Sequence, residues 1–97
     1  MKPVDVGGVP ATAITVALPK TSLVMVTTDR GYIMCGALDV DLLNTRLADR
    51  AIIAGRALGV KTIEQLLDAP LADVTDAARE LGVVPGMIGR EAIARMR

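Results

Sequence analysis

Four side chains in this sequence could do chemistry: the thiol of Cys35, the carboxylate of Asp39, and the guanidinium groups of Arg56 and Arg90. Cys35 lies in Ile33-Met34-Cys35-Gly36-Ala37 and has two readings. As a small apolar residue it shares a strand face with Ile33 and Ala37 and packs in the core, where free cysteines are commonly found. As a nucleophile it would be a thiolate, favoured by the N-terminus of a helix that Asp39 caps and by a nearby arginine. That thiolate would have no imidazole base, because the chain has no His. A carboxylate close by would push the thiol pKa up, so the core reading is preferred. Asp39 and Asp41 could share a magnesium ion, but carboxylates that open a helix are far more often caps and dipole partners. No metal site is expected.

Arg56 is the more unusual residue. Its neighbours in Ile53-Ala54-Gly55-Arg56-Ala57-Leu58-Gly59 are all apolar or glycine, so its guanidinium must find an anion or leave the sheet. Three readings stay open: an ion pair with Asp39, Asp41 or a carboxylate of another subunit, a surface edge position, or capture of an anionic ligand. Gly55 and Gly59 would let a ligand or backbone come close. Arg90, in Gly89-Arg90-Glu91-Ala92, combines a positive charge with the free N–H groups of a helix start, which is anion-binding geometry in principle. Glu91 offsets that charge.

Composition excludes much else. The 97 residues hold 11 basic and 11 acidic side chains, one Cys, one Tyr, and no His, Phe or Trp. Triad hydrolases, imidazole metal sites and thiolate clusters are therefore out, and no cofactor is expected. A lone cysteine suits a reducing compartment, so a cytoplasmic location is expected. Residues 1–50 hold five charges of each sign and residues 51–97 six of each, so neither half is a basic patch for a nucleic-acid backbone. Val84 to Ala92 brushes against the helix-hairpin-helix pattern of DNA binders. However, Ile88 stands where the second glycine belongs, and no nucleic-acid partner is expected. No membrane span or signal layout is read either. Apolar residues make up 52% of the chain before its 9 Gly are counted, above the roughly 45–50% usual with glycine included. Some of that surplus should meet a partner.

These residues need elements to position them, and the chain reads as one α+β domain over 1–97. Val4 to Val6 is a short strand broken by Gly7-Gly8, a turn dipeptide. Ala11 to Leu18 alternates a large face of Thr12, Ile14, Val16 and Leu18, taken as the core side, with a small face of alanines and Thr15. The small face should be covered closely by another element or another subunit. Leu23–Thr28 and Tyr32–Leu38 complete an antiparallel meander, with Gly31 expected in a left-handed bulge position. Asp39 caps a crossover helix through Leu43 and Leu47, and Ile52–Val60 returns as a fourth strand. The second half is helical. Thr62 and Gln65 form a capping box. Pro70 opens a helix to Leu81, unless Thr75 instead caps a shorter one, and a last helix starts near Gly89.

Three segments carry a resemblance to a known family: Gly31-Tyr32-Ile33-Met34-Cys35-Gly36-Ala37-Leu38-Asp39 with Leu42-Leu43-Asn44; Ala54-Gly55-Arg56-Ala57 running on to Thr62 through Leu71; and Gly86-Met87 with Gly89-Arg90-Glu91-Ala92. In this order they resemble the small uncharacterised YunC-like family, a domain of unknown function in bacteria and archaea. The resemblance implies a compact α+β domain that self-associates, with no assigned substrate or cofactor.

The leading functional reading is a homo-oligomeric binding or structural module. The alternative is a small enzyme or sensor that binds an anionic small molecule between subunits near Cys35, Asp39 and Arg56, with Arg90 as a further contact. Clustering of these side chains around an open cleft favours the alternative; a dry Cys35 and an ion-paired Arg56 favour the module.

Overall fold

The computed structural model describes residues 1–36 and 50–96. The expected crossover helix with Asp39 and Asp41, and the end of the third meander strand, lie outside the described residues. The sheet holds six strands in chain order: β1 (Lys2–Val6), β2 (Val9–Leu18), β3 (Thr21–Thr27), β4 (Gly31–Met34), β5 (Ile53–Arg56) and β6 (Asp73–Val74). Neighbours are antiparallel except β4 and β5, which run parallel. Among the described residues the helices are α1 (Ile63–Asp68), α2 (Asp76–Glu80) and α3 (Gly89–Arg95). The chain is thus α+β, as its pattern implied.

Local chemistry explains the turns. Gly7 and Gly8 both take positive φ, 59° and 90°, which a two-residue hairpin turn requires, and Asp5 Oδ1 accepts from the Gly8 N–H at 2.6 Å. Gly31 does not take the left-handed conformation expected of it. It sits in β4, where a Cβ would lie 2.5 Å from the Ile53 carbonyl oxygen. Its missing side chain lets β5 lie close beside β4.

The core corrects the expected facing of β2. Ala11 and Ala13 are buried, whereas Val16 and Leu18 are 43% and 44% exposed. α1 packs on β2 and β3 and α3 on β4 and β1, against the face of Val9, Ala11, Val24, Val26 and Ile33. Small side chains there leave room for the helices. At Ala11 and Ala13 the alanine face is therefore covered by the chain's own elements, whereas Thr15 and Ala17 further along it are exposed, as are Val16 and Leu18 on the large face.

The capping box at α1 forms with one change. Thr62 Oγ1 accepts from the Gln65 N–H at 3.1 Å, but Gln65 Oε1 takes the N–H of Lys61 at 2.8 Å. The helix expected from Pro70 to Leu81 is divided, and Thr75 caps the shorter α2. Before it, Asp73 and Val74 pair with Arg56 and Gly55 as a strand that the sequence pattern did not announce. The cause is Thr75, 2% exposed. Its hydroxyl donates to the Ile52 carbonyl at 2.7 Å and accepts from the N–H groups of Ala54 at 3.1 Å and Ala78 at 3.3 Å. One side chain thus binds both β5 and the start of α2. Thr75→Val keeps the shape but strands these groups, and should cost about 2–3 kcal/mol by urea denaturation. Thr75→Ser keeps the hydroxyl and should lose about 1 kcal/mol, the value of a methyl group.

Candidate functional site

β5 brings Arg56 opposite Asp73 of β6, and their side chains form an ion pair through Nη2 and Oδ2. Asp39, Asp41 and another subunit were the partners expected for Arg56. Asp73 is one partner, made available by a strand that the sequence had hidden in a helix; Asp39 and Asp41 lie outside the described residues. The two side chains are 29% and 44% exposed, so Arg56 is half-buried rather than enclosed. An anionic ligand at Arg56 would compete with Asp73. Screening by water keeps such a pair modest.

Alternation along the sheet separates the remaining candidates. Arg56 pairs with Met34, while Gly55 pairs with Ile33, so Ile33 and Arg56 project from opposite faces. Cys35 follows the Ile33 face into the core cluster with Leu66 and Ile93, and is 5% exposed. Arg90 stands on α3, on the helix-covered side, where its Nε donates to Asp68 Oδ1 at 2.7 Å. That pair is exposed. The Gly89 N–H beside it donates to the Ala69 carbonyl at 3.0 Å, so this donor of the helix start is already used. Among the described residues, Cys35, Arg56 and Arg90 do not share a cleft. Nor do those residues contain a group of three His, Cys, Asp or Glu side chains placed to hold a metal.

One concave surface lies elsewhere, around the β3–β4 loop. A cleft of about 320 Å³ is lined by Asp29, Arg30, Tyr32, Arg50 and Ile52, among others. Desolvation raises the pKa of the Tyr32 phenol above its ordinary value. Thr28 shapes the loop: its Oγ1 donates to the Gly31 carbonyl at 2.9 Å and accepts from the Gly31 N–H at 3.1 Å. The Met96 carbonyl lies 3.3 Å from the same oxygen, bringing the end of α3 to the loop. Sequence reasoning passed over Arg30 and Arg50 because each stands in an ordinary polar context. Only the parallel pairing of β4 and β5 brings the two segments together, with the single Tyr as the available signal.

A mixed sheet with short helices on one face and a polar cleft at one end defines a small α+β domain with no assembled catalytic constellation among its described residues. The family described as "Domain of unknown function (DUF1805)" matches residues 34–96, and the chain belongs to it. Over 96 residues it is 59% identical to the uncharacterized protein YunC of Bacillus subtilis (strain 168), covering 99% of this chain and 95% of that protein. The crystal structure of TA1206, a protein of unknown function from Thermoplasma acidophilum, is similar with a TM-score of 0.88 at 27% identity. That similarity covers 99% of this chain and 90% of the other. The YunC-like resemblance thus stands.

Two outcomes follow from the geometry. Arg56→Met and Asp73→Asn should show a coupling energy of about 0.2–1 kcal/mol in a double-mutant cycle; several kcal/mol would mean the pair is sealed from water. Cys35 should react slowly with a thiol reagent in the native protein and rapidly in denaturant, and Cys35→Ala should lower stability through lost packing.

Proposed function

We propose that the protein is a homo-oligomeric binding or structural module. The supporting observation is the outward face of β2, where Val16 and Leu18 stand 43% and 44% exposed. Opposite them in β3 are Leu23 and Thr21, and Ile14 pairs with Met25. This stripe carries no charge, and uncharged apolar patches of this kind mark association surfaces. The small-residue argument for association, made from Ala11, Ala13 and Ala17, moves to this face because the chain's own core covers Ala11 and Ala13, leaving only Ala17 of the three exposed. A second copy is the natural occupant, since a two-fold axis lets one patch cover its own image. Light scattering on a sizing column at tens of micromolar should give a dimer or larger, and Leu18→Glu should lower the mass without unfolding the domain. A wild-type monomer at that concentration overturns the reading.

The second reading, a small anionic ligand, is drawn to the β3–β4 cleft by its two guanidinium groups and phenol, with the Asp29 carboxylate offsetting part of their charge. Inorganic phosphate at millimolar concentration should then raise the melting temperature by mass action, and Arg50→Ala should remove that shift. An equal shift in both proteins, or none in either, removes this reading.

A further inference from the structure

Asp29 belongs to two concavities of opposite character. One is the β3–β4 cleft of about 320 Å³, whose lining includes the guanidinium groups of Arg30 and Arg50 and the Tyr32 phenol. The other is a hollow of about 290 Å³ lined by Gly8, Val9, Pro10 and Met96. Thr28 and Asp29 line both. In the second hollow Val9, Pro10 and Met96 supply an aliphatic surface, and Asp29 is its one charged residue. Each space lies near the lower limit of ligand pockets, about 300 Å³, so both suit a small molecule.

The loop that carries Asp29 is fixed by its own hydrogen bonds. Thr28 Oγ1 accepts from the N–H groups of Arg30 at 3.3 Å and Gly31 at 3.1 Å, and the Met96 carbonyl lies 3.3 Å from the same oxygen. A site held in place before its ligand arrives loses less entropy on binding. In the lining of the β3–β4 cleft, Ala51 has φ 49°, a left-handed conformation that a residue with a Cβ adopts only at a cost. Strain of this kind gathers at ligand sites. Neither of the two ion pairs found among the described side chains, Arg56–Asp73 and Arg90–Asp68, involves Asp29.

Resting on the reading that this cleft takes an anionic group, we infer that its ligand is a free amino acid with an aliphatic side chain. Such a molecule carries a carboxylate, an ammonium and an apolar group on one carbon. The protein offers the complement of each: guanidinium groups, a carboxylate and an aliphatic hollow. The ligand carboxylate meets Arg30 and Arg50, whose planar forks suit it. Its ammonium meets the Asp29 carboxylate, which is common to both spaces, and its side chain enters the hollow of Val9, Pro10 and Met96. A simple anion would be repelled by Asp29, and a simple amine by the two arginines. A ligand with both charges avoids each repulsion, and discrimination built on such mismatches is as effective as that built on attraction.

Titration of isotope-labelled protein with L-leucine, followed by amide resonances, reads these contacts. The resonances of Val9, Thr28, Asp29 and Arg50 should move together with one dissociation constant. Isocaproate, which is leucine without its ammonium, and leucinamide, which lacks the carboxylate, should each bind about tenfold more weakly, the loss expected for one hydrogen-bonded charge. Asp29→Asn should weaken leucine by a similar factor yet bind isocaproate no less tightly than wild type, because it removes a repelling charge. Arg50→Ala should weaken both ligands. Asp29 and Arg50 are exposed, so both variants should keep the wild-type spectrum away from the cleft. If isocaproate or inorganic phosphate binds here as tightly as leucine, the anionic-ligand reading stands and the amino-acid inference is overturned. Leucine binding that Asp29→Asn leaves unchanged overturns it as well. If none of these probes moves the cleft resonances, both readings fall.

Discussion

The Thr75 hydroxyl holds the C-terminal half of the domain to the sheet. It is the buried polar side chain among the described residues, and its partners belong to three segments: the carbonyl leading into β5, an N–H of β5, and an N–H in the first turn of α2. The Thr75 backbone adds to this, its N–H donating to the Ala54 carbonyl at 2.9 Å and its carbonyl accepting from Arg79 at 3.1 Å. β5 needs such anchoring. It is four residues long, lies parallel to β4, and has only the two-residue β6 on its other side. Neither ladder is long enough to fix it alone. The Arg56–Asp73 pair shares this anchoring with the Ala72 N–H, which donates to the Arg56 carbonyl at 2.7 Å.

Small side chains set the remaining geometry. The core has no aromatic ring and is filled by valines, alanines, Ile33, Leu66, Leu71, Ile93 and Met96. With helices of six, five and seven residues, propensity contributes little, and packing onto the sheet must hold them. Close approach is how that packing is achieved. Gly55 leaves a slot in β5 where a Cβ would lie 2.7 Å from Leu71 Cδ1, and Gly89 lets α3 lie against α1, where a Cβ would be 2.5 Å from the Leu66 carbonyl oxygen. Gly55, which in sequence suggested room for a ligand, and Gly89, which suggested free donors, are accounted for by contacts within the chain.

What the sequence discloses and what it hides divide along physical lines. Period-two alternation, the Gly7-Gly8 turn, and the cap at Thr62 are local, so the meander, α1 and α3 could be read near their observed bounds, and α2 only in the shorter alternative that Thr75 caps. Alternation cannot say which face of β2 turns inward. That depends on where helices far along the chain come to rest, and here they chose the alanines. Likewise β6 is two residues whose strand character exists only because β5 is beside them, and helical spacing through Leu71, Val74 and Ala78 masked it. The same limit governed the site. Burial of Cys35 was legible from its apolar setting. The Asp73 partner of Arg56 and the meeting of Arg30, Tyr32 and Arg50 at one cleft both depend on strand order.

The extended β2–β3 ribbon is the one place where local and global preferences conflict. Its residues are good strand formers, yet a two-stranded ribbon in water is marginal by itself. Beyond Ala13 no third strand or helix among the described residues buries Val16 and Leu18. Native sequences seldom leave such a conflict unresolved, because mutually supporting choices are what separate a folded state from its competitors. The conflict disappears if the folding unit is larger than one chain. The absence of charge along residues 14–18, a hazard on an exposed surface, would then be a condition for burying it.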